Sequence, residues 1–564
     1  MASSGEEMSD RLTLGEAADE AQWRALVEKG LKGGQWARLV GRTADGVEIQ
    51  PLYRETDIPS VTDISGLPGA APFVRAAGGW RITQSFNHPD PDQTNREILA
   101  DLAGGVAAIE LVTAEGGGAQ VRTSGDLDRL LADVILEAAP VSLDTGGSGF
   151  DAAAALEAKL KGVAAPGVAF NLDPIGALMR HGAVGADDIA RAAQFAARVR
   201  SELPNARAIR VDARPVHEAG GTEAQEVGVA LGCGIAYLRA LTSAGLSAAD
   251  AAATVAFAVS VGPDVLIETA KLRALRLCWA RVLEASGAPA HARAAQVHAF
   301  TSRRMMTRYD AWTNILRVTT SAFAAAIGGA QAITTAPFTD ALGLPTPFAR
   351  RVARNTQHVI LEECRLGHVA DPAGGAWFVE RMTRDLATKA WEIMQLIESK
   401  GAIVAALQAG LVQDLVVGAR TARQRLIATR RETITGVTDF PLLDETKPEF
   451  IPAPQSTGAP DAALSPIRWA EPFETLRDRA AAAGAPRVFF ANIDTLAAFG
   501  PRAQWTRNLF AAGGIGAIGP EDAYATMDKL IDAFRSSRAR VAVIASTDAC
   551  YAEHAENCAQ RLKA

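Results

Sequence analysis

Between residues 104 and 363, short apolar runs alternate with amphipathic segments of helical period. GGVAAIELV is followed by SGDLDRLLADVILEAA, PVSLDTG by FDAAAALEAKLKG, and GVAFNLDP by the helical segment 186–203. ARAIRVDARP, QVHAFTS and AQAITTAPF continue the series, with helices expected at 312–327 and 348–363. Runs this continuously apolar suit strands covered on both faces, and parallel neighbours need a crossover helix between them. The alternation therefore predicts an α/β fold of parallel βα units. There are enough strands to close an eight-stranded (β/α)8 barrel of the TIM type. An open doubly wound sheet gives the same alternation.

The stretch 206–302 reads as a strand, two long amphipathic helices and a second strand. In parallel α/β proteins the chemistry gathers where strands end. Asp212, Arg214 and Pro215 end the first strand, and His298 and Ser302 end the second. Asp212 and Arg214 are placed to pair across a barrel mouth. His298 is either a site residue or a buried histidine bonded to backbone. Arg303 and Arg304 either meet an anion or face solvent, and solvent is the expectation. Arg75 in APFVRA either grips a phosphate or carboxylate through its two-pronged guanidinium or lies exposed. Asp371 in GHVADPAGG reads as a turn cap.

Four regions are expected. Residues 1–71 form an N-terminal arm with a helix at 14–31, continued by an irregular Pro- and Gly-rich strap that reaches ITQSF. Residues 72–434 form the barrel and its trailing helices. Residues 435–472, rich in Pro, Asp and Ser, form an exposed linker. Residues 473–564 form a second α/β unit of three βα repeats, with helices at 501–512, 521–534 and 551–562. Open sheets of that kind usually have about five strands, so this unit reads as incomplete.

Charge and composition exclude several functions. A net charge of −7 without a basic block argues against a nucleic-acid partner. No apolar run reaches membrane-spanning length, and the N-terminus lacks the apolar stretch of a secretory signal, so a cytoplasmic chain is expected. Five cysteines without CxxC pairing suit free thiols in a reducing compartment. GGIGAIG lacks the strand-to-helix setting of a dinucleotide loop, and neither a Walker A sequence nor HExxH occurs. The eight histidines are dispersed, so no metal site is expected.

Several stretches carry a resemblance: PFVRAAGGWRITQSF, HEAGGTEAQEVGVALGCGIAYLRALTSAGLS, ETAKLRALRLCWARV, QVHAFTSRRMMTRYDAWTNILR, ARRVARNTQHVILEE and DPAGGAWFVERMTRDLATKAW. In this order, from about residue 71 to 436, they resemble the methylmalonyl-CoA mutase family. The resemblance implies a barrel that takes acyl-CoA along its axis and a flavodoxin-like C-terminal domain for adenosylcobalamin. It also exposes departures from the catalytic pattern. Catalytic members carry Tyr-His before a QEAG motif; here Arg214 and Pro215 stand there, then Val216 and HEAG from His217. The histidine that would stabilise the thioester carbonyl is thus replaced by a residue with neither a polar side chain nor an N–H. The RGPYATMY strap reads RAAGGW from Arg75 to Trp80 and lacks its tyrosine. The HxQTSGW motif keeps His298 but has Phe300 for Gln. The cobalt-ligating DxHxxG loop keeps Asp494 and is followed by Gly500, but has Leu496 where the histidine belongs.

This combination looks most like the small-subunit branch of the family, whose members pair with a large catalytic subunit. The resemblance then implies no complete catalytic site and no cofactor on this chain. Adenosylcobalamin and the acyl-CoA would lie in the large-subunit partner of a heterodimer that isomerises methylmalonyl-CoA to succinyl-CoA. Arg75, Arg214, His298 and Phe300 would line a vestigial acyl-CoA channel. Two alternatives are a mutase for another acyl-CoA with a separate cobalamin-binding subunit, and an acyl-CoA-binding regulatory protein.

Overall fold

Eight parallel strands close into a barrel in strict chain order. They are β1 (Arg81–Phe86), β2 (Ala108–Val112), β3 (Val141–Asp144), β4 (Ala169–Leu172), β5 (Arg207–Asp212), β6 (Val255–Val261), β7 (Val297–Thr301) and β8 (Ala332–Thr334), and β8 pairs back with β1. The computed structural model describes residues 19–58, 65–113, 117–163, 167–453 and 463–564. Closure removes the open-sheet alternative. Two of the strands lie where the sequence predicts none. β1 emerges directly from the irregular strap. β6 follows the short helix Ala248–Thr254 without a break, so the stretch 206–302 holds a strand between its two long helices.

Alternate residues along each strand face opposite sides of the barrel wall. Ile109, Leu111, Val141, Leu143, Ile209 and Val211 join one continuous apolar core shared with the surrounding helices. The residues between them, Glu110, Ser142, Asp144, Arg210 and Asp212, face the barrel axis. The apolar core is therefore a ring outside the barrel, and the barrel's own interior is polar.

The helices that position the site are α1 (Pro174–His181), α2 (Glu223–Ser243), α3 (Val265–Ala285) and α4 (Trp377–Ser399). A reciprocal cap starts α2: the Thr222 hydroxyl accepts from Gln225 N at 3.3 Å, and Gln225 Oε1 accepts from Thr222 N at 3.0 Å. Close packing needs glycine on this helix. A Cβ at Gly228 would stand 2.7 Å from Ile393 Cβ on α4. On α3, Arg273 is buried and grips Asp371 at 2.5 and 2.6 Å and Glu380 at 2.6 Å. Glu380 also accepts from the Ser65 hydroxyl at 2.5 Å, which ties the arm to the helix layer.

In the arm, a helix spans Glu20–Gly30, and the part expected before residue 19 lies outside the described residues. A small hairpin follows, and its Asp45 accepts from Thr222 Oγ1 and from Ala224 N at the start of α2.

The expected linker is exposed over only part of its described length. Val437 and Thr438 are fully buried, and Ile451 pairs antiparallel with Leu344. Residues 454–462 lie outside the described residues. Beyond them the chain crosses the rim of the barrel: Leu464 N donates to Met179 O at 2.8 Å, Ile467 N to Glu218 O at 2.8 Å, and Trp469 N to Arg304 O at 3.0 Å. A low content of regular structure was readable in the composition, but its burial was not, because barrel carbonyls supply the backbone partners.

The last unit has α5 (Glu471–Ala482), α6 (Leu496–Ala512) and a parallel sheet of β9 (Arg487–Asn492), β10 (Gly516–Ile518) and β11 (Ala542–Ala545), in the order β10-β9-β11. Phe489 and Phe490 send adjacent side chains into separate clusters on the two faces. The helix expected at 501–512 begins earlier, at Leu496, and holds Pro501 within its first turns; the one expected at 521–534 runs instead from Met527 to Ser537. Among the described residues no single helix is long and apolar enough to cross a membrane.

Candidate functional site

β2 and β5 are not neighbours in the barrel, so a contact between their side chains crosses its interior. Arg210 on β5 donates to Glu110 on β2 at 2.5 Å and to Ser142 on β3 at 3.2 Å. Arg214, just past the end of β5, donates to Asp212 at 2.8 Å and to Asp144 on β3 at 2.9 Å. Arg180 of α1 pairs with Asp212 as well. Asn171 on β4 donates to Ser142 Oγ and Leu143 O, both at 2.8 Å. Above this lattice the Arg214 guanidinium lies 4.0 Å from the Phe300 ring centroid, where a cation meets the ring quadrupole. His298 stacks on the same ring at 4.1 Å, and its Nε2 lies 2.8 Å from Thr334 Oγ1.

The electrostatics are those of paired charges taken out of water. Burial pushes the Glu110 carboxyl up, against the pull of Arg210. Burial also works against Asp144, yet Arg214 and Arg210 hold it down to about 2. Asp212 is held well below the usual carboxylate range by Arg180 and Arg214, which outweigh its burial. Burial, reinforced by the charges of Arg210 and Arg214, lowers His298 well below its usual value, so the imidazole is neutral. Asp173 goes the other way: burial, and then the Asp212 charge, raise it to about 6.

Arg214, Phe300 and His298 pack on one another where β5 and β7 face each other. Below them, at the N-terminal ends of the strands, a cavity of about 80 Å³ remains, lined by Thr83, Ser142, Asn171, Arg210 and His298 among others. That is room for two or three waters, at about 30 Å³ each, and far below the roughly 300 Å³ of a small-molecule site.

The structure brings Arg214, His298, Phe300 and Asp212 together. Pro215 sits in the first turn of a short helix, Arg214–Glu218, where its missing N–H has no helical partner to lose. Arg75 is not among the barrel-lining residues: Asp371 holds its Nε at 2.6 Å, and Gly66 O accepts from the guanidinium at 3.3 Å. Asp371, expected to be a turn cap, is the shared anion of Arg75 and Arg273. Arg303 is exposed as expected. Arg304 is buried, its guanidinium donating to His217 O at 2.7 Å and Gly221 O at 2.6 Å. Sequence reasoning missed Glu110, Asp144 and Arg210. The signal was present: a charge in the middle of AIELV or AIRVD must find a partner inside the fold.

The methylmalonyl-CoA mutase family model matches residues 42–461. The chain belongs to the methylmalonyl-CoA mutase family. It is similar to the methylmalonyl-CoA mutase small subunit of Streptomyces virginiae, 40% identical, covering 97% of this chain and 90% of that one. The small subunit of Propionibacterium freudenreichii subsp. shermanii is 35% identical, over 97% and 88% of the two chains. A methylmalonyl-CoA mutase of Rhizobium meliloti is 29% identical, over 75% of this chain and 64% of that one.

Cobalamin chemistry, general in this mutase family, needs a donor atom facing cobalt. The loop after β9 does not fit that need. Asp494 has a positive φ of 73° and its carboxylate accepts from Thr495 N at 2.7 Å. Leu496 is the first residue of α6 and is exposed, with an apolar side chain. Gly500 lies inside α6, where a Cβ would meet only Leu496 Cδ1, at 3.8 Å. No imidazole stands anywhere from Asn492 to Gly500.

Two outcomes test the barrel interior. Arg210→Ala leaves Glu110 buried and unpaired and is expected to cost about 3–5 kcal/mol, whereas Glu110→Leu with Arg210→Met is expected to be near neutral. Denaturant unfolding of both checks this; a loss below about 1 kcal/mol in the single variant would refute the buried pair. The second outcome concerns pH. Because Asp173 is raised from 3.8 to about 6, the folded chain holds this proton more tightly than the unfolded chain. Its contribution to stability is complete below about pH 4 and falls by up to about 3 kcal/mol as pH rises through 6. Asp173→Asn removes that dependence, so the Tm of the variant minus that of the parent should climb between pH 4 and 7. A flat difference contradicts the shift.

Proposed function

We propose that this chain is the small, non-catalytic subunit of a heterodimeric, adenosylcobalamin-dependent methylmalonyl-CoA mutase. The observation that carries the reading is the packing of Arg214 and His298 on Phe300 within the barrel, which in this reading obstructs the line along which the family's barrel takes acyl-CoA. Pro215 stands where the catalytic pattern has its carbonyl-stabilising histidine, and Leu496 where it has the cobalt ligand. In this reading the large subunit holds adenosylcobalamin and acyl-CoA and interconverts methylmalonyl-CoA and succinyl-CoA. The small chain holds no cofactor and stabilises its partner. Residues 1–71 serve as a subunit contact, residues 435–472 as the linker, and residues 473–564 as a degenerate cobalamin-type domain. The names of the relatives support the assignment.

Co-purification with the large subunit tests it. A one-to-one complex by native mass spectrometry is expected, with one cobalamin per heterodimer and with turnover abolished when the large subunit's cobalt-ligating histidine is replaced. Cobalamin uptake or turnover by this chain alone would overturn the reading.

A further inference from the structure

A second set of buried charges lies outside the ion-paired interior, beside the rim. His217 belongs to the short helix after β5, Glu223 and Glu226 to the first turn of α2, and Glu268 and Lys271 to α3. Lys271 donates to Glu226 at 2.8 Å and to Ser260 O at 2.5 Å, and pairs with Glu268. Glu268 accepts from Gly262 N at 2.6 Å. Arg304 reaches Glu223 at 3.4 Å. Glu218 accepts from the Ser260 hydroxyl at 2.6 Å and from Arg304 N at 2.8 Å, and Asp45 approaches from the arm. Carboxylates outnumber the ammonium and guanidinium groups that serve them.

His217 supplies the independent observation. Its ring is fully buried, and Nε2 lies 2.9 Å from Ser302 Oγ. Its Nδ1 is sealed from solvent, has no hydrogen-bond partner, and lies 3.4 Å from Glu226. One donor atom each from His217, Glu223 and Glu268 lie within 4.8 Å of one another. Glu223, Glu268 and Ser302 also line a cavity of about 690 Å³.

We propose that His217, Glu223 and Glu268 bind a first-row divalent cation, with an open coordination position toward this cavity. An imidazole with two carboxylates suits zinc, manganese or cobalt better than magnesium or calcium, which prefer oxygen alone. At metal–ligand distances of about 2.1 Å the donors of a tetrahedral site stand about 3.4 Å apart, so the three side chains must draw together by up to about 1.4 Å on binding. Ser302 orients the ring through Nε2, the role an outer hydrogen bond plays for a metal-bound histidine. Burial and the charges of Arg304 and Lys271 keep the imidazole neutral and ready to ligate. The site cross-links α2, α3 and the loop after β5. The catalytic QEAG motif has Gln where His217 stands, so this donor is a departure from the catalytic pattern. Sequence spacing hid the set, because Glu268 lies far down the chain from the other two.

The test uses the full chain, stripped with chelator, dialysed against micromolar Zn²⁺ and assayed by elemental analysis. Cobalt(II) serves as a spectroscopic probe. One equivalent of zinc is expected, with a visible cobalt spectrum of a four- or five-coordinate N/O site. His217→Gln should weaken binding at least 10-fold and abolish that spectrum, and Glu223→Gln, on the cavity wall, should do the same in a chain of unchanged thermal midpoint. The surface variant His291→Gln should bind as the parent does. No retained metal in the parent, or equal uptake by the variants at 217 and 223, would overturn the proposal; should His217→Gln fail to fold, the Glu223 variant decides.

Discussion

The pair of Glu110 and Arg210 sets the terms for the rest of the molecule. Two charges inside a closed barrel lose their hydration, and each is tolerable only while the other stays in place. Keeping them there requires β2 and β5 to hold a fixed distance across the interior, which requires the full ring of eight strands. It also requires the neighbours to balance charge: Asp144 and Asp212 answer Arg210, Arg214 and Arg180, and the Ser142 hydroxyl accepts from Asn171 and Arg210. The apolar side chains of the same strands then have only the outer surface left, and the helices close over that ring. TIM-type barrels are commonly packed inside with branched aliphatic layers. This one is packed with ion pairs.

Function follows from the same constraint. A polar barrel interior suits a channel for a polar, extended ligand. What changes its use is the layer above: Arg214 leaning on Phe300, and Phe300 on His298. These contacts hold the three side chains in place, which is why the proposed reading treats the axis as closed. The rim is crossed in turn by the strap 463–470, which hangs from carbonyls of α1, of the short helix after β5 and of the loop after β7. The helix layer is held by the buried pairs of Arg273 with Asp371 and Glu380, the arm joins it through Ser65 on Glu380, and the terminal unit is tied on by the half-buried Arg308 with Glu474. The result suits a body that presents a fixed surface to a partner.

Much of this was legible in the sequence. The alternation of apolar runs and amphipathic helices identified the parallel fold because two-sided burial leaves no other pattern. β1 escaped because a Pro- and Gly-rich strap leads straight into RITQSF. β6 escaped because an alanine-rich helix passes into AFAVSV without a turn signal, and apolarity alone does not separate the two. The linker 435–472 read as exposed because Pro, Ser and Asp report the absence of regular structure and say nothing about what lies beneath. Arg304 and Arg303 are adjacent and identical, yet only the first finds carbonyls at the ends of turns to enter. Pairing across a barrel depends on register and closure, which no local pattern contains. The charges of Glu110 and Arg210 were visible as anomalies in apolar strands, but which charge meets which was not.

The central claim is that ion pairs and the Arg214–Phe300–His298 stack close this barrel to acyl-CoA. Calorimetric titration of the purified chain with coenzyme A and with a non-reactive methylmalonyl-CoA analogue tests it most directly. The account predicts no saturable binding up to millimolar ligand. Stoichiometric binding in the micromolar range, lost when Arg207 or Asn171 at the lower cavity is replaced, would show an open channel and contradict it.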